Sequence, residues 1–179
     1  MHKFVPSKFY FINSFKKDYI DKLDSNTGII YRNYNNKVNL KEIIKIKDYC
    51  SRKKITFFIS NNFRLSLRLN LDGAYIPSFN KSFRHLSYKI KTGFLILGSA
   101  HNIKEIRMKE NQGVEIIFLS SVYKKNKNYL GINKFRLLSS LSKKKIIALG
   151  GVTKSNLKSI KLLCYGFSGI SYFEKKKAP

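Results

Sequence analysis

At 179 residues, with 43% hydrophobic side chains, the chain is sized for one domain, 1–179, with a real buried core. No run approaches the ~20 apolar residues of a membrane-spanning helix, and MHKFVPSKFYFINSF is too short and too polar for a secretory leader, so a soluble cytoplasmic protein with no membrane partner is expected. Lys and Arg number 36 against 10 Asp and Glu, a formal charge of +26 that attracts anions, but the lysines are spread over almost every segment, so nucleic acid is expected to bind only non-specifically.

After Pro6, Phe9–Ile12 reads as a first strand and 15–23 as a short helix. GIIY at 28–31 is a second strand that delivers Arg32 to its C-terminal end. Leu40–Cys50 has Leu40, Ile43, Ile44 and Ile46 on one side and lysines on the other, an amphipathic helix. ITFFI at 55–59 is a third strand, and Ser60-Asn61-Asn62 then caps a helix over 63–69. Asp72-Gly73 turns into a fourth strand, 74–76, stopped by Pro77. A helix is expected over 82–90 and a fifth strand over 94–97. Gly98-Ser99-Ala100-His101 follows it, and Asn102 caps a helix over 103–109. VEIIFL at 114–119 is a sixth strand. The loop SSVYKKNKNYLG, 120–131, carries three lysines and no carboxylate, and a helix over 134–141 follows.

KIIALGGVTKSNL, 145–157, supplies a seventh strand ending in Gly150-Gly151. Thr153 or Ser155 then caps a helix in which Leu157, Ile160 and Leu163 recur at helical spacing. A helix N-terminus beside glycines is an anion-binding arrangement, and any αβ protein can also contain such a turn. Phe167–Ser171 is an eighth strand, with FEKKKAP too short for a full last helix. Cys50 and Cys164 show no metal or redox spacing and are expected to be free thiols.

Eight strands alternating with about seven helices argue for a compact (β/α)8 TIM-type barrel with a truncated last helix. The rival, an open doubly wound sheet, gathers polar residues at one switch point, whereas here they stand at nearly every strand end. In a barrel those ends converge on one mouth. It would hold Arg32, Ser60-Asn61, Pro77 to Asn80, Ser99, His101, the 120–128 loop, Gly150-Gly151 and residues 169–174. This set lacks a carboxylate pair, a Ser-His-Asp arrangement and a metal cluster, and it is rich in cations, hydroxyls and glycine backbone, which suits phosphate-bearing ligands. His101 is either a general acid–base or a helix-start histidine bonded to backbone.

GIIYR at 28–32, the spacing from FFISNN to LDG at 57–73, ILGSAH at 96–101, SSVYKKNKNYLG at 120–131 and ALGGVTKSN at 148–156 carry a resemblance. In this order the chain resembles the thiamine-phosphate synthase and thiazole tautomerase family, small (β/α)8 barrels. The resemblance implies a synthase that joins a pyrimidine pyrophosphate to a thiazole phosphate with Mg2+ assistance, releasing pyrophosphate. It implies that Arg32 holds pyrophosphate, that Ser99 lies near the pyrimidine, that His101 moves a proton in the tautomerase branch, and that Gly150 and Gly151 approach the product phosphate.

The departures matter as much. Ile30 and Tyr34 stand where the family has glutamine and lysine. Both magnesium aspartates fall on Asn61 and Asn80, leaving neutral ligands for a hard dication, so any Mg2+ site is weakened and no metal ligand is assigned. The P-T-x-T-K loop becomes Lys124-Lys125-Asn126-Lys127-Asn128, and Lys125 and Lys127 are candidates to supply the missing positive charge. Glu174 replaces a serine near the phosphate. The expected partners are therefore phosphorylated small molecules, with a homodimer left open. The alternatives are a thiazole tautomerase-like isomerase or non-catalytic binder of thiamine or thiazole phosphates, and a basic nucleic-acid-binding accessory protein.

Overall fold

The computed structural model describes residues 4–34 and 39–173, and Glu174 lies outside them. Eight parallel strands pair in sequence order and close into a barrel. They are β1 (Lys8–Ile12), β2 (Thr27–Tyr31), β3 (Thr56–Ser60), β4 (Gly73–Ile76), β5 (Leu95–Ala100), β6 (Ile116–Ser120), β7 (Lys145–Leu149) and β8 (Gly166–Ser168). The last strand is short, and it closes the ring through Lys8↔Phe167 and Phe9↔Ser168. Phe167 N–H donates to Ser7 O at 2.9 Å and Ser168 Oγ donates to Phe9 O at 2.8 Å.

Alternation along each strand sorts the apolar residues into two layers. Phe9, Phe11, Ile30, Phe58, Tyr75, Leu95, Leu97, Ile116, Phe118 and Ile147 form one cluster drawn from seven strands, the filling of the barrel. Their neighbours, such as Tyr10, Ile29, Ala74, Ile117 and Ala148, pack outward under the helices. The covering helices are α1 (Lys17–Ile20), α2 (Leu40–Arg52), α3 (Phe63–Arg68), α4 (Ile103–Asn111), α5 (Gly131–Leu141) and α6 (Ile170–Phe173). Asn39, Asn62 and Asn102 cap α2, α3 and α4, each side-chain oxygen accepting from the N–H three residues on.

Three expectations need correction. Residues 82–90 form no α-helix, only a 3-10 turn at Arg84–Ser87, because Asn80 and Ser82 side chains accept from Ser82 N and Arg84 N and so hold the chain in turns. The helix after β7 is likewise a 3-10 turn, Leu157–Ser159. There Asn156 Oδ1 accepts from Thr153 N and its Nδ2 donates to Gly151 O, and Leu162 is left 96% exposed. The eighth strand stops at Ser168, and the single turn of α6 follows, its Phe173 and Tyr172 rings against Tyr10 and Phe167.

Candidate active site at the barrel mouth

Two residues beyond the buried Phe58, Leu97 and Phe118, the same inward alternation puts Ser60, Ser99 and Ser120 at the C-terminal ends of β3, β5 and β6. Apolar filling thus gives way to a layer of buried hydroxyls, and each is engaged. Ser60 Oγ lies 2.6 Å from Tyr34 OH, Ser99 Oγ accepts from Ser78 N at 2.9 Å, and Ser120 Oγ lies 3.1 Å from His101 Nδ1. Tyr75, sealed beneath, has its phenol pushed above its ordinary range by burial, with the Ser99 hydrogen bond opposing.

His101 is held at three points. Its N–H donates to Glu105 Oε2 at 2.8 Å, Nδ1 lies 2.8 Å from Ser120 O, and Nε2 lies 3.1 Å from Ser78 Oγ. A carbonyl only accepts, so Nδ1 carries the proton, and in the neutral ring Nε2 accepts from the Ser78 hydroxyl. A hydroxyl on one ring nitrogen and a fixed acceptor on the other is the arrangement of a proton relay. The sequence reading placed Ser78 only within a range; its signal was a hydroxyl two residues past the end of a strand.

Asn61 and Asn80 do meet. Asn80 Oδ1 accepts from Ser82 N at 2.9 Å, which turns its Nδ2 toward Asn61, 2.7 Å from Asn61 Oδ1. Each amide oxygen is thereby already engaged in one hydrogen bond. Mg2+ needs oxygen ligands, at least some of them charged, and among the described residues no group of three or more His, Cys, Asp or Glu could hold a metal ion. The residues at these two positions do not fit a magnesium site.

Behind Asn80 lies a group that sequence reasoning missed. Lys109, on α4, is fully buried, and its Nζ donates to Pro77 O, Asn80 O and Gln112 Oε1, each at 2.8 Å. Gln112 Nε2 adds bonds to Asn80 O at 3.1 Å and Ser82 O at 2.9 Å. Gly98 makes room for this, since a Cβ there would stand 3.0 Å from Lys109 Cδ. Burial pushes the Lys109 ammonium down to about 8. The only signal in the sequence was its place three residues after the buried Ile106.

The remaining candidates sit apart. The Arg32 guanidinium lies 4.6 Å over the Phe11 ring and lines a cavity of about 280 Å3 with Asn13, Lys16 and Ile170. Gly150 and Gly151 have φ of +97° and +79°, and a Cβ on Gly150 would meet Ser121 Oγ at 2.3 Å. Gly150 O accepts from Tyr123 N at 2.8 Å, so the turn is clasped by the loop after β6. The helix N-terminus expected beside it is absent. Lys125 and Lys127 are exposed on that loop. Cys50 is free and buried, its thiol pushed up to about 12 by burial, and Cys164 is also free.

A sequence profile of the thiamine monophosphate synthase family matches residues 23–174, which include Arg32, Asn61, Asn80, Ser99, His101 and Gly150-Gly151. The chain belongs to this family. A thiamine-phosphate synthase of Methanococcus vannielii is 28% identical over 141 residues, covering 74% of this chain and 67% of that protein. One from Prochlorococcus marinus subsp. pastoris is 27% identical over 135 residues, 73% of this chain and 38% of that one. The chain thus spans about two thirds or less of these relatives. Among solved structures, thiamine phosphate pyrophosphorylase from Pyrococcus furiosus superposes with a TM-score of 0.71 over 92% of this chain and 86% of that one, at 19% identity, a likeness of fold. Among the described residues, no helix is long and apolar enough to cross a membrane.

Proposed function

We propose that this chain is a divergent thiamine-phosphate synthase of the cytoplasm, joining a pyrimidine pyrophosphate to a thiazole phosphate. The observation that carries the reading is the family match over 23–174, with Arg32, Ser99, His101 and Gly150-Gly151 at the C-terminal ends of β2, β5 and β7 of one closed barrel. In this reading Arg32 faces the pyrophosphate, Ser99 and Ser78 face the pyrimidine, and the Gly150-Gly151 turn approaches the thiazole phosphate, with Lys125 and Lys127 adding positive charge. As pyrophosphate leaves, positive charge grows on the pyrimidine methylene carbon and the thiazole nitrogen bonds to it; Arg32 offsets the negative charge that departs. No step is routed through a metal. The test is incubation of the pure protein with both phosphorylated precursors and detection of thiamine phosphate by mass spectrometry; absence of product with a folded protein ends this reading.

The relay Ser78–His101–Ser120 favours a second reading, a tautomerase-like isomerase of thiazole phosphates, because it can take and return a proton without any leaving group. Solvent deuterium incorporation into a thiazole phosphate, with no thiamine phosphate formed, distinguishes it from the first. Binding without turnover would leave a phosphate-ligand binder. A homodimer is a further proposal, tested by the mass in solution.

A further inference from the structure

Where the β4–β5 connection has only a 3-10 turn in place of a helix, a cavity of about 220 Å3 lies beside it. Its walls include Asn61 and Asn80 at the mouth, Asn62 and Arg64 at the start of α3, and Arg84 on the 3-10 turn, and they contain no Asp or Glu. Neither guanidinium has an ion-pair partner among the described residues.

The hydrogen-bond bookkeeping of the three amides decides what such a cavity accepts. Asn62 Oδ1 is taken by Leu65 N at 3.1 Å, Asn80 Oδ1 by Ser82 N at 2.9 Å and Asn61 Oδ1 by Asn80 Nδ2 at 2.7 Å. Two of these acceptors face backbone N–H groups, and that fixes which end of each amide is oxygen. Each of these oxygens already accepts one hydrogen bond, while the Nδ2 groups of Asn61 and Asn62 remain as donors beside two guanidiniums. The buried Lys109 ammonium, 2.8 Å from Asn80 O, stands behind the same wall. This donor-rich lining repels a hard cation and attracts an oxyanion.

We propose that the side cavity between α3 and the 3-10 turn binds a pyrophosphate group through Arg64 and Arg84, with the Asn61 and Asn62 amides, and without a divalent cation. The choice of pyrophosphate over other oxyanions rests on the synthase reading; the donor set itself does not. Guanidiniums placed on a side wall thus stand in for the dication that the Asn61–Asn80 pair cannot hold. The site is distinct from Arg32, which lines its own cavity with Phe11, Asn13 and Lys16.

The test is calorimetric titration of the full chain with inorganic pyrophosphate in EDTA, at about 150 mM salt, where the Debye length of about 8 Å damps general attraction. Binding is expected, and an Arg64→Gln/Arg84→Gln variant should weaken it by at least about tenfold, as loss of charge-assisted phosphate contacts does. Lys134→Gln/Arg136→Gln on α5 removes the same formal charge from exposed positions and should leave affinity within about twofold. Pyrophosphate should also protect Arg64 and Arg84 of the unaltered protein from phenylglyoxal, read by peptide mass spectrometry, which does not depend on a variant folding. A strict requirement for Mg2+, equal weakening in the α5 variant, or no protection of the two arginines would each overturn the proposal. Metal-free binding with no thiamine phosphate formed would sink only the synthase reading; product formed without such binding would sink only this site.

Discussion

Lys109 shows how much one residue can fix. Its three hydrogen bonds pin Pro77 and Asn80, and through them Ser78 against His101. Lys109→Met keeps the stem but removes three buried hydrogen bonds, and it should cost about 2–4 kcal/mol, measured by urea unfolding. The same group makes stability depend on pH. Folding holds its pKa near 8, against the ordinary 10.5 of a lysine, so between these values the unfolded chain binds the extra proton and stability rises with pH. Relative to Lys109→Met, the native chain should therefore gain stability across that window and lose the gain as pH falls through about 8; a parallel pH dependence in both proteins would contradict this. At the other end of the relay, Ser78→Ala leaves His101 Nε2 without its partner. If the ring moves a proton through that hydroxyl, kcat should fall about 100-fold with KM little changed.

Elements, more than single residues, hold the site's geometry. The start of α4 is a reciprocal cap in which Asn102 Oδ1 accepts from Glu105 N while Glu105 Oε2 accepts from His101 N. Asn102→Ala should cost about 1 kcal/mol in thermal or urea unfolding. The turn after β7 is more demanding. Gly150→Ala combines a positive φ with a Cβ 2.3 Å from Ser121 Oγ, so the loop after β6 must move. The expected loss is about 2 kcal/mol or more, with increased proteolysis within 121–130. Strand ends, caps and turn glycines were legible in the sequence because each is decided by neighbours within a few residues. The two missing helices were not. Their apolar spacing is helical, but local Asn, Ser and Thr side chains bond the backbone first, and periodicity does not weigh that competition.

Over the whole molecule the charge of +26 has few carboxylates to answer it. Repulsion between like charges should weaken the fold at low ionic strength, so the urea midpoint should rise as salt increases from about 10 mM to about 300 mM. Binding to DNA should fall steeply over the same range, as counterion release requires; affinity that persisted at high salt would argue for a dedicated nucleic-acid face. Closure of the barrel is the other molecular-scale property. It depends on a three-residue β8 bonded to β1 and on the Tyr172 and Phe173 rings of α6.

The sequence by itself determined the eight-strand order, the barrel and the family, because hydrophobic alternation, turn residues and motif spacing are local or sequential properties. It also placed Arg32, Ser99, His101 and the double glycine at strand ends. Tertiary structure decided the rest: that Asn61 bonds Asn80, that Ser78 serves His101, that a lysine on α4 is buried under the β4 loop, and that Arg64 and Arg84 share one cavity. Each of these joins residues from different βα units, and the partner of a polar group across a barrel is fixed only when closure brings the strand ends together.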